Sequence, residues 1–364
     1  MAASLQRVVI PAEAFDKHKS GGRYFEPQAP LEFISSGCRL LDCVLGGGWP
    51  LSRISNIIGD KSTGKTLLAI EATNSFMRQF PNAMPKYRES EAAFDQAYAA
   101  SIGMPVDKID FGIDRDVNTI EDFYKDLEEY LKELDGEPGL YILDSLDALS
   151  SEAELKRDFN EGSYSMEKAK QMSQLLRRLV RELKSTKTHL MIISQERDNI
   201  GITFGKKSTR SGGRALDFFA THCLWLHKIK TNEQTIDKIK RPISLDIRAK
   251  AEKNKISVPL RQCDFTLRFS FGVDDLQSSM DFLEEVGKLD LLLKDKSKTQ
   301  FNRWAEELSD NDYWQLIDEA GDIAAKVWDD IEAAFLPKRK RIWDDSPTPD
   351  GGSPNAEPAP MVDN

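Results

Sequence analysis

The chain has 364 residues, 40% of them hydrophobic, and 60 acidic against 50 basic side chains give a formal net charge of −10, which allows one large domain or two moderate ones with a sizeable core. That charge excludes a protein that coats nucleic acid through its overall field, so any such binding must come from a local basic patch. No apolar run approaches the ~18 residues of a membrane span, residues 1–17 lack the layout of a signal peptide, and Cys38, Cys43, Cys223 and Cys263 form no C-x-x-C pair, so a cytosolic protein with reduced core cysteines is expected.

Residues 1–34 are polar and mixed, with Lys17, His18, Lys19, Gly21, Gly22 and Arg23 in the middle, and read as an N-terminal arm. Their one apolar run, 5–10, suits a strand that pairs on this subunit or on a neighbour, so the arm is a candidate polymerisation element. Ser35, Ser36 and Gly37 ahead of Leu40, Leu41, Val44 and Leu45 predict a short capped helix closed by Gly46, Gly47 and Gly48. Residues 54–58 then read as a buried strand, and 67–80 carry apolar residues at helical spacing. Between them Gly59-Asp60-Lys61-Ser62-Thr63-Gly64-Lys65-Thr66 matches G-x-x-x-x-G-K-[ST] at every fixed position and in the required strand–loop–helix context. Glycines at 59 and 64 let the backbone N–H groups turn toward phosphate oxygens at the positive end of a helix. Lys65 reaches the β- and γ-phosphates in such a loop, and Thr66 offers its hydroxyl to magnesium.

Further strand patterns fall at 139–143, 189–194, 223–229 and 243–247, with helical patterns at 119–134 and 166–183 separating the earlier ones. The fold class is therefore α/β, a mostly parallel sheet covered by helices. The strand at 139–143 ends on Asp144, placed to be the second carboxylate that holds magnesium through water; a strand-end turn aspartate is the plainer alternative. The segment 197–214 holds Arg197, Lys206, Lys207, Arg210 and Arg214 against the single acid Asp198, and Ser208, Thr209, Ser211, Gly212 and Gly213 make it mobile. This is the local basic patch that the composition demands: the cations would track phosphates, while Phe204 and Ile202 wedge between bases, although Phe204 equally suits a loop anchor packed on the core.

After Gly272 the text turns helical and acidic over 276–293, then aromatic-rich through Phe301, Trp304, Tyr313, Trp314 and Trp328, predicting a small α-rich module at 273–336. Lys338, Arg339, Lys340 and Arg341 follow, and from 344 onward five acidic residues stand among Pro and Gly with no basic one. Residues 337–364 are expected to be a disordered tail.

Asp144-Ser145-Leu146-Asp147-Ala148-Leu149, then Met172-Ser173-Gln174 with Arg177-Arg178-Leu179, resembles the RecA recombinase family. So do Ile200-Gly201-Ile202-Thr203-Phe204-Gly205 through Gly212-Gly213-Arg214-Ala215-Leu216, and Lys253-Asn254-Lys255-Ile256 with Pro259 just beyond. The resemblance covers roughly residues 34–272, about two thirds of the chain, and implies a RecA-like P-loop ATPase core at 35–272 with DNA-binding loops. On it, Glu91 falls where the family has the glutamate that polarises the attacking water. Glu89 is the runner-up, because Pro85, Lys86 and Arg88 interrupt the apolar strand that should deliver this residue. Asp95 and Tyr98 match the adenine contacts, Tyr98 by stacking and Asp95 by accepting a hydrogen bond. Gln195 matches the γ-phosphate sensor, and Lys253 and Lys255 match two lysines inserted into a neighbour's nucleotide site. The segment 197–214 corresponds to the second DNA loop, a region around 156–165 to the first, and Arg177 and Arg178 to positions near the strand.

The resemblance thus implies an enzyme with ATP and Mg2+ as cofactors that forms a helical filament on single-stranded DNA, with nucleotide at subunit interfaces. It would pair that strand with homologous double-stranded DNA in recombination and repair, with DNA-stimulated ATP hydrolysis to ADP and phosphate. A loader or single-strand-binding protein is a further expected partner, and the expected place is the cytoplasm, at the nucleoid, or the host cytoplasm for a viral member. The acidic tail resembles the regulatory tail of bacterial members, competing with DNA, or serves only to solvate the chain. The alternative is a RecA-fold ATPase of another role: a helicase-type motor, or a signalling or repair accessory ATPase. The absence of a recognisable N-terminal helix and the weak first-loop match point to a divergent branch.

Overall fold

Short apolar strands alternate with amphipathic helices, and the computed structural model of the chain builds them into helices on both faces of one large sheet. It describes residues 30–112, 117–155, 165–198, 208–210 and 213–336; the arm before residue 30 and the tail from 337 lie outside the described residues. The strands are β1 (Phe33–Ile34), β2 (Trp49–Pro50), β3 (Ile54–Gly59), β4 (Lys86–Glu89), β5 (Pro138–Asp144), β6 (Lys187–Asp198), β7 (Ser208–Arg210), β8 (His222–Ile236), β9 (Ile239–Asn254), β10 (Gln262–Arg268) and β11 (Gly272–Asp274). The helices are α1 (Arg39–Leu45), α2 (Lys65–Gln79), α3 (Gln96–Ser101), α4 (Ile120–Glu133), α5 (Glu152–Leu155), α6 (Ser165–Lys184), α7 (Gly213–Phe219), α8 (Asp275–Glu285), α9 (Asp290–Leu293), α10 (Lys298–Glu306) and α11 (Asp310–Phe335). None of these described helices is long and apolar enough to cross a membrane.

The sheet order is β11-β10-β9-β8-β3-β6-β5-β4, with β7 paired to β6. β8, β3, β6, β5 and β4 run parallel, and β9, β10 and β11 are each antiparallel to the strand before. The alternation along β5 shows why its near-continuous apolar run is needed. Leu140 and Ile142 enter the cluster under α1, α2, α8 and α11, while Tyr141 and Leu143 enter the one under α4 and α6, as a central strand covered on both faces requires. Leu276, Met280, Leu316, Ala320 and Ala324, from the helices beyond Gly272, share the first cluster with Leu41, Phe76 and Phe265.

Three local readings change. Ser35 and Ser36 do not cap α1: Ser35 Oγ and Ser36 N–H both donate to the Asp42 carboxylate at 2.7 Å, and Cys38 takes the N-cap position without a side-chain bond. The stretch 276–293 is broken at Gly287, φ +66, into α8 and α9. The strands expected at 223–229 and 243–247 extend into one long hairpin, β8–β9, whose turn is made by Asp237 and Lys238 at φ +50 and +67. Such left-handed pairs match the right-handed twist of a tight hairpin.

The charged residues before Glu89 do not interrupt a strand. Lys86 and Arg88 lie within β4, buried. Arg88 Nε donates to Asp126 Oδ2 at 2.8 Å and its Nη2 to Asp110 Oδ2 at 2.9 Å, while the Tyr141 hydroxyl donates to Asp126 at 2.7 Å. Lys86 Nζ lies 3.6 Å from Asp126 and 3.4 Å from Glu133. Burial by itself would raise the Asp126 carboxyl, but the bonds from Arg88 and Tyr141 outweigh it and hold it below its usual range.

At the other end of the sheet two histidines are buried. His189 Nδ1 donates to Pro50 O at 2.7 Å, and His222 Nδ1 lies 3.3 Å from Ser55 Oγ. Burial pushes His189 down to about 4, and burial with the nearby His189 pushes His222 down to about 3. Both rings are neutral in the folded chain at pH 7, and the unfolded chain takes up their protons first as pH falls. Their contribution to stability should be complete above about pH 6.5 and decline toward pH 4, by up to about 1.4 kcal/mol per pH unit for each ring. Urea melts at pH 7, 6 and 5 measure this, and a His189→Gln, His222→Asn variant should have a flatter profile; equal slopes would refute the assignment.

Candidate functional site

The carboxyl ends of β3, β4, β5 and β6 meet on one edge of the sheet, where an open parallel sheet sends out its ligand-binding loops. Register aligns them: Gly59 lies opposite Gln195, and Glu89 opposite Asp144. β3 feeds the loop 59–66 onto the amino end of α2. Gly64 has φ +85, and a Cβ there would stand 2.1 Å from Leu267 Cδ1, so only glycine fits. Within the loop, Thr63 Oγ1 donates to Asp60 O at 2.9 Å and Lys61 N to Asp60 Oδ1 at 2.7 Å; Asp60, Lys61 and Ser62 are exposed. Lys65 Nζ donates to Gly59 O at 3.0 Å and Asp60 O at 2.7 Å. Burial lowers its pKa, against the opposing pull of Asp144 and Glu91.

Thr66 Oγ1 and the Tyr87 hydroxyl both donate to Asp144 Oδ2, at 2.8 and 2.9 Å. Burial raises the Asp144 carboxyl; these two bonds hold it down, and Glu91 and Glu89 push it further up. A carboxylate and a hydroxyl side by side form the hard-oxygen pair that magnesium takes while keeping water and phosphate in its other positions. A divalent cation would also offset the crowding of acids. These donors, the loop N–H groups and Lys65 fit a nucleoside triphosphate with Mg2+.

Glu91 and Glu89 are used differently. Glu91 Oε1 accepts from Ser145 Oγ at 2.5 Å and from Gln195 Nε2 at 2.9 Å. Glu89 Oε1 accepts from the backbone N–H of Glu91 at 2.9 Å and Ala93 at 3.2 Å, closing its own turn. Phe94 packs on Tyr87 and Phe111, with ring centroids 4.7 and 5.4 Å apart, which seats this turn on β4. Asp95 caps α3, accepting from Tyr98 N at 2.9 Å. Tyr98, half exposed on that helix, has its hydroxyl pKa raised by burial and by Glu71, with the Ser270 N–H bonded to it. Phe269 and Phe271 flank Ser270 and are exposed.

Gln195 N–H donates to Asp147 Oδ2 at 2.7 Å, and Arg197 Nη2 lies 3.1 Å from Asp147 Oδ1. Arg177 and Arg178 are exposed on α6. Arg210 lies on β7 in register with Glu196, and Gly213 and Arg214 open α7. Phe204, Lys206, Lys207 and Gly212, with residues 156–164 of the stretch expected to form the first DNA loop, lie outside the described residues.

The chain does not bring Lys253 and Lys255 to its own loop 59–66. They stand at the opposite edge, where β9 ends beside the start of β8. Lys253 Nζ donates to the carbonyls of Asp217 and Phe218, and Lys255 Nζ to that of Phe218 at 3.0 Å. Both ammonium groups thus cap the carboxyl end of α7, where a cation is favoured. Burial, with Lys255 adjacent, lowers Lys253 to about 8.

The family model of the RecA N-terminal domain matches residues 22–274. Protein RecA of Nostoc punctiforme is 30% identical over 257 residues, covering 71% of this chain and 68% of the relative. Protein RecA of a Nocardioides species is 30% identical over 263 residues, 72% of each, and Protein RecA of Thermosynechococcus vestitus 30% over 257 residues, 71% of this chain and 69% of the relative.

Removing the Tyr87 hydroxyl tests the Asp144 geometry. Tyr87→Phe deletes one of two donors, so the carboxyl should rise further and Mg2+-dependent nucleotide binding should weaken about tenfold or more, with a larger deficit at pH 6 than at pH 8. Calorimetric titration of nucleotide at several Mg2+ concentrations reads this out, and unchanged Mg2+ dependence would count against it.

Proposed function

The chain belongs to the RecA family, and from that premise we propose that it is an ATP-dependent recombinase that assembles into a helical filament on single-stranded DNA, pairs it with homologous duplex and exchanges strands. The observation that carries this reading is the Glu91–Gln195 bond of 2.9 Å at the lip of the phosphate loop: a base and an amide held together where a γ-phosphate would end. Bound ATP with Mg2+ supplies the phosphoryl group and the charge that polarises it.

Lys65 exchanges the carbonyls of Gly59 and Asp60 for phosphate oxygens, and the N–H groups of 59–66 line the same cradle. Asp144 and Thr66 hold the metal ion. Glu91 orients the attacking water and takes its proton at the carboxylate, held in line by Ser145. Gln195, which can donate either to Glu91 or to a phosphate, reports nucleotide to the segment that follows it. Tyr98 stacks on the adenine, and Asp95 keeps one carboxylate oxygen for it. Lys253 and Lys255 act in a neighbour's site, neutralising charge on the transferred group. Arg177, Arg178, Arg197, Lys206, Lys207, Arg210 and Arg214 track DNA phosphates, Phe204 wedges between bases, and Gly212 and Gly213 let the backbone approach the strand.

ATP turnover with and without single-stranded DNA tests this, stimulation being the expected result. Glu91→Gln should bind ATP yet hydrolyse it about a hundredfold more slowly or worse, while Glu89→Gln should stay within about tenfold of the native rate; the reverse order would move the base to Glu89. Mixing Lys253→Ala subunits with Lys65→Ala subunits should restore turnover at those interfaces that join an intact loop to intact lysines. Mixtures as inactive as either parent would remove the support for action in trans.

A further inference from the structure

Asp147 belongs to none of the roles assigned above. It lies three residues past Asp144, in the short 3-10 helix Leu146–Ala148, with its side chain 6% exposed. Its two oxygens are divided between two residues of β6. Oδ2 accepts the Gln195 N–H at 2.7 Å, and Oδ1 faces the Arg197 guanidinium at 3.1 Å. Gln195 reaches Glu91 through its side chain. Arg197, 60% exposed, pairs in register with Thr209 of β7, at the start of the basic segment. Residues two apart on a strand share a face and move together.

One buried carboxylate therefore accepts a hydrogen bond from the main chain of Gln195 and stands in ion-pair contact, without an aligned hydrogen bond, with the guanidinium of Arg197. We propose that Asp147 is a positioning residue that couples the two sites, competing with DNA phosphate for Arg197 while it fixes Gln195. The proposal rests on the recombinase reading above. An exposed guanidinium exchanges partners readily, whereas the buried N–H bond to Gln195 does not, so Asp147 can release Arg197 to a phosphate without letting go of the strand. Linkage makes the effect reciprocal: if bound nucleotide, acting through Gln195, weakens the Asp147–Arg197 pair and so frees Arg197 for DNA, then DNA on Arg197 favours nucleotide binding by the same factor.

The test is the affinity of the full chain for an oligo(dT) strand, with and without a slowly hydrolysed ATP analogue, over a range of salt. Asp147→Asn keeps an acceptor for the Gln195 N–H and removes the charge that holds Arg197. Without nucleotide it should bind about three- to tenfold more tightly, with a log–log salt slope steeper by about 0.7, the value for one added phosphate contact on a single strand. The enhancement by the analogue should shrink by the same factor. In an Arg197→Gln background the gain should vanish, which separates release of Arg197 from a general loss of negative charge.

Unchanged affinity and slope in Asp147→Asn overturn the proposal, and so does an equal gain with Arg197→Gln present. Should Asp147→Asn not fold, Arg197→Gln alone decides: it must lower affinity more with the analogue than without it, and equal losses overturn the coupling. Wild-type protein that fails to bind oligo(dT) with the analogue brings down the recombinase reading itself. That result differs from normal wild-type binding with uncoupled variants, which removes only the role of Asp147.

Discussion

Arg88 lies beneath the edge of the sheet with its guanidinium shared between Asp110 and Asp126, and the nucleotide edge depends on that bond. β4 has four residues and a single long-strand neighbour, β5, so its ladder alone holds it weakly. Burying charge is costly unless each group is paired, and removing one partner of such a pair commonly costs about 3–5 kcal/mol. Here the planar guanidinium meets two carboxylates, and Tyr141 satisfies Asp126 further. The gain over an apolar contact is geometric, because a fork of donors fixes direction where a methyl group only fills volume. With Arg88 and Lys86 turned toward α4, Tyr87 must face the other way, where its hydroxyl meets Asp144. Glu89 ends a strand whose rotation is already determined, and Glu91 follows in the turn that leaves it.

The nucleotide site carries the opposite problem. Asp144, Glu89 and Glu91 crowd one strand edge, and the Asp144 carboxyl is raised by burial and by the two glutamates. Such repulsion would open the edge in an uncoordinated protein. Hydroxyl and amide donors restrain it: Thr66 and Tyr87 on Asp144, Ser145 and Gln195 on Glu91. Those bonds also tie α2 and β4 to the end of β5, and the turn after β4 to the ends of β5 and β6, so the groups that temper the charge are the ones that place it. A divalent cation completes the balance rather than creating it.

Much of this was legible in the residues and some was not, for physical reasons. The loop 59–66, the strand leading to Asp144 and the helices at 120–133 and 165–184 announce themselves because their signals are local: a glycine-bearing motif, an apolar run, a 3.6-residue period. β4 reads as a broken strand because its charges look solvated, and the acids that pair with Arg88, Asp110 and Asp126, are 22 and 38 positions away. The β8–β9 hairpin is longer than its apolar text because its outer half is exposed and polar, held by the ladder and the turn. Glu89 and Glu91 are indistinguishable by composition; only the turn geometry separates a carboxylate bonded to its own backbone from one bonded to Gln195. Asp147 had no local signal at all, since both of its partners come from a strand about fifty positions on.

The two charged edges of the sheet are joined by the segment between β6 and α7. At its start, Arg197 is gripped by Asp147 beside the chain's own nucleotide edge; at its far end α7 closes on Phe218, whose carbonyl is capped by Lys253 and Lys255 on the opposite edge. Those lysines leave the loop 59–66 of their own chain untouched; a head-to-tail contact between copies would bring one edge of a molecule against the other edge of the next and propagate as an open helix. In the proposed filament a neighbour's phosphates would compete with the α7 carbonyls for both ammonium groups, as DNA competes with Asp147 for Arg197. Lys253, lowered to about 8 by burial and by Lys255, would have its charged form favoured beside phosphate. The basic segment is flanked at both ends by contacts of a cation within the chain, and in the proposed filament bound nucleotide would exchange them, one in its own subunit and one across the interface. Neither exchange by itself would report a filled filament; the pair would, because the second can occur only where a neighbour has arrived.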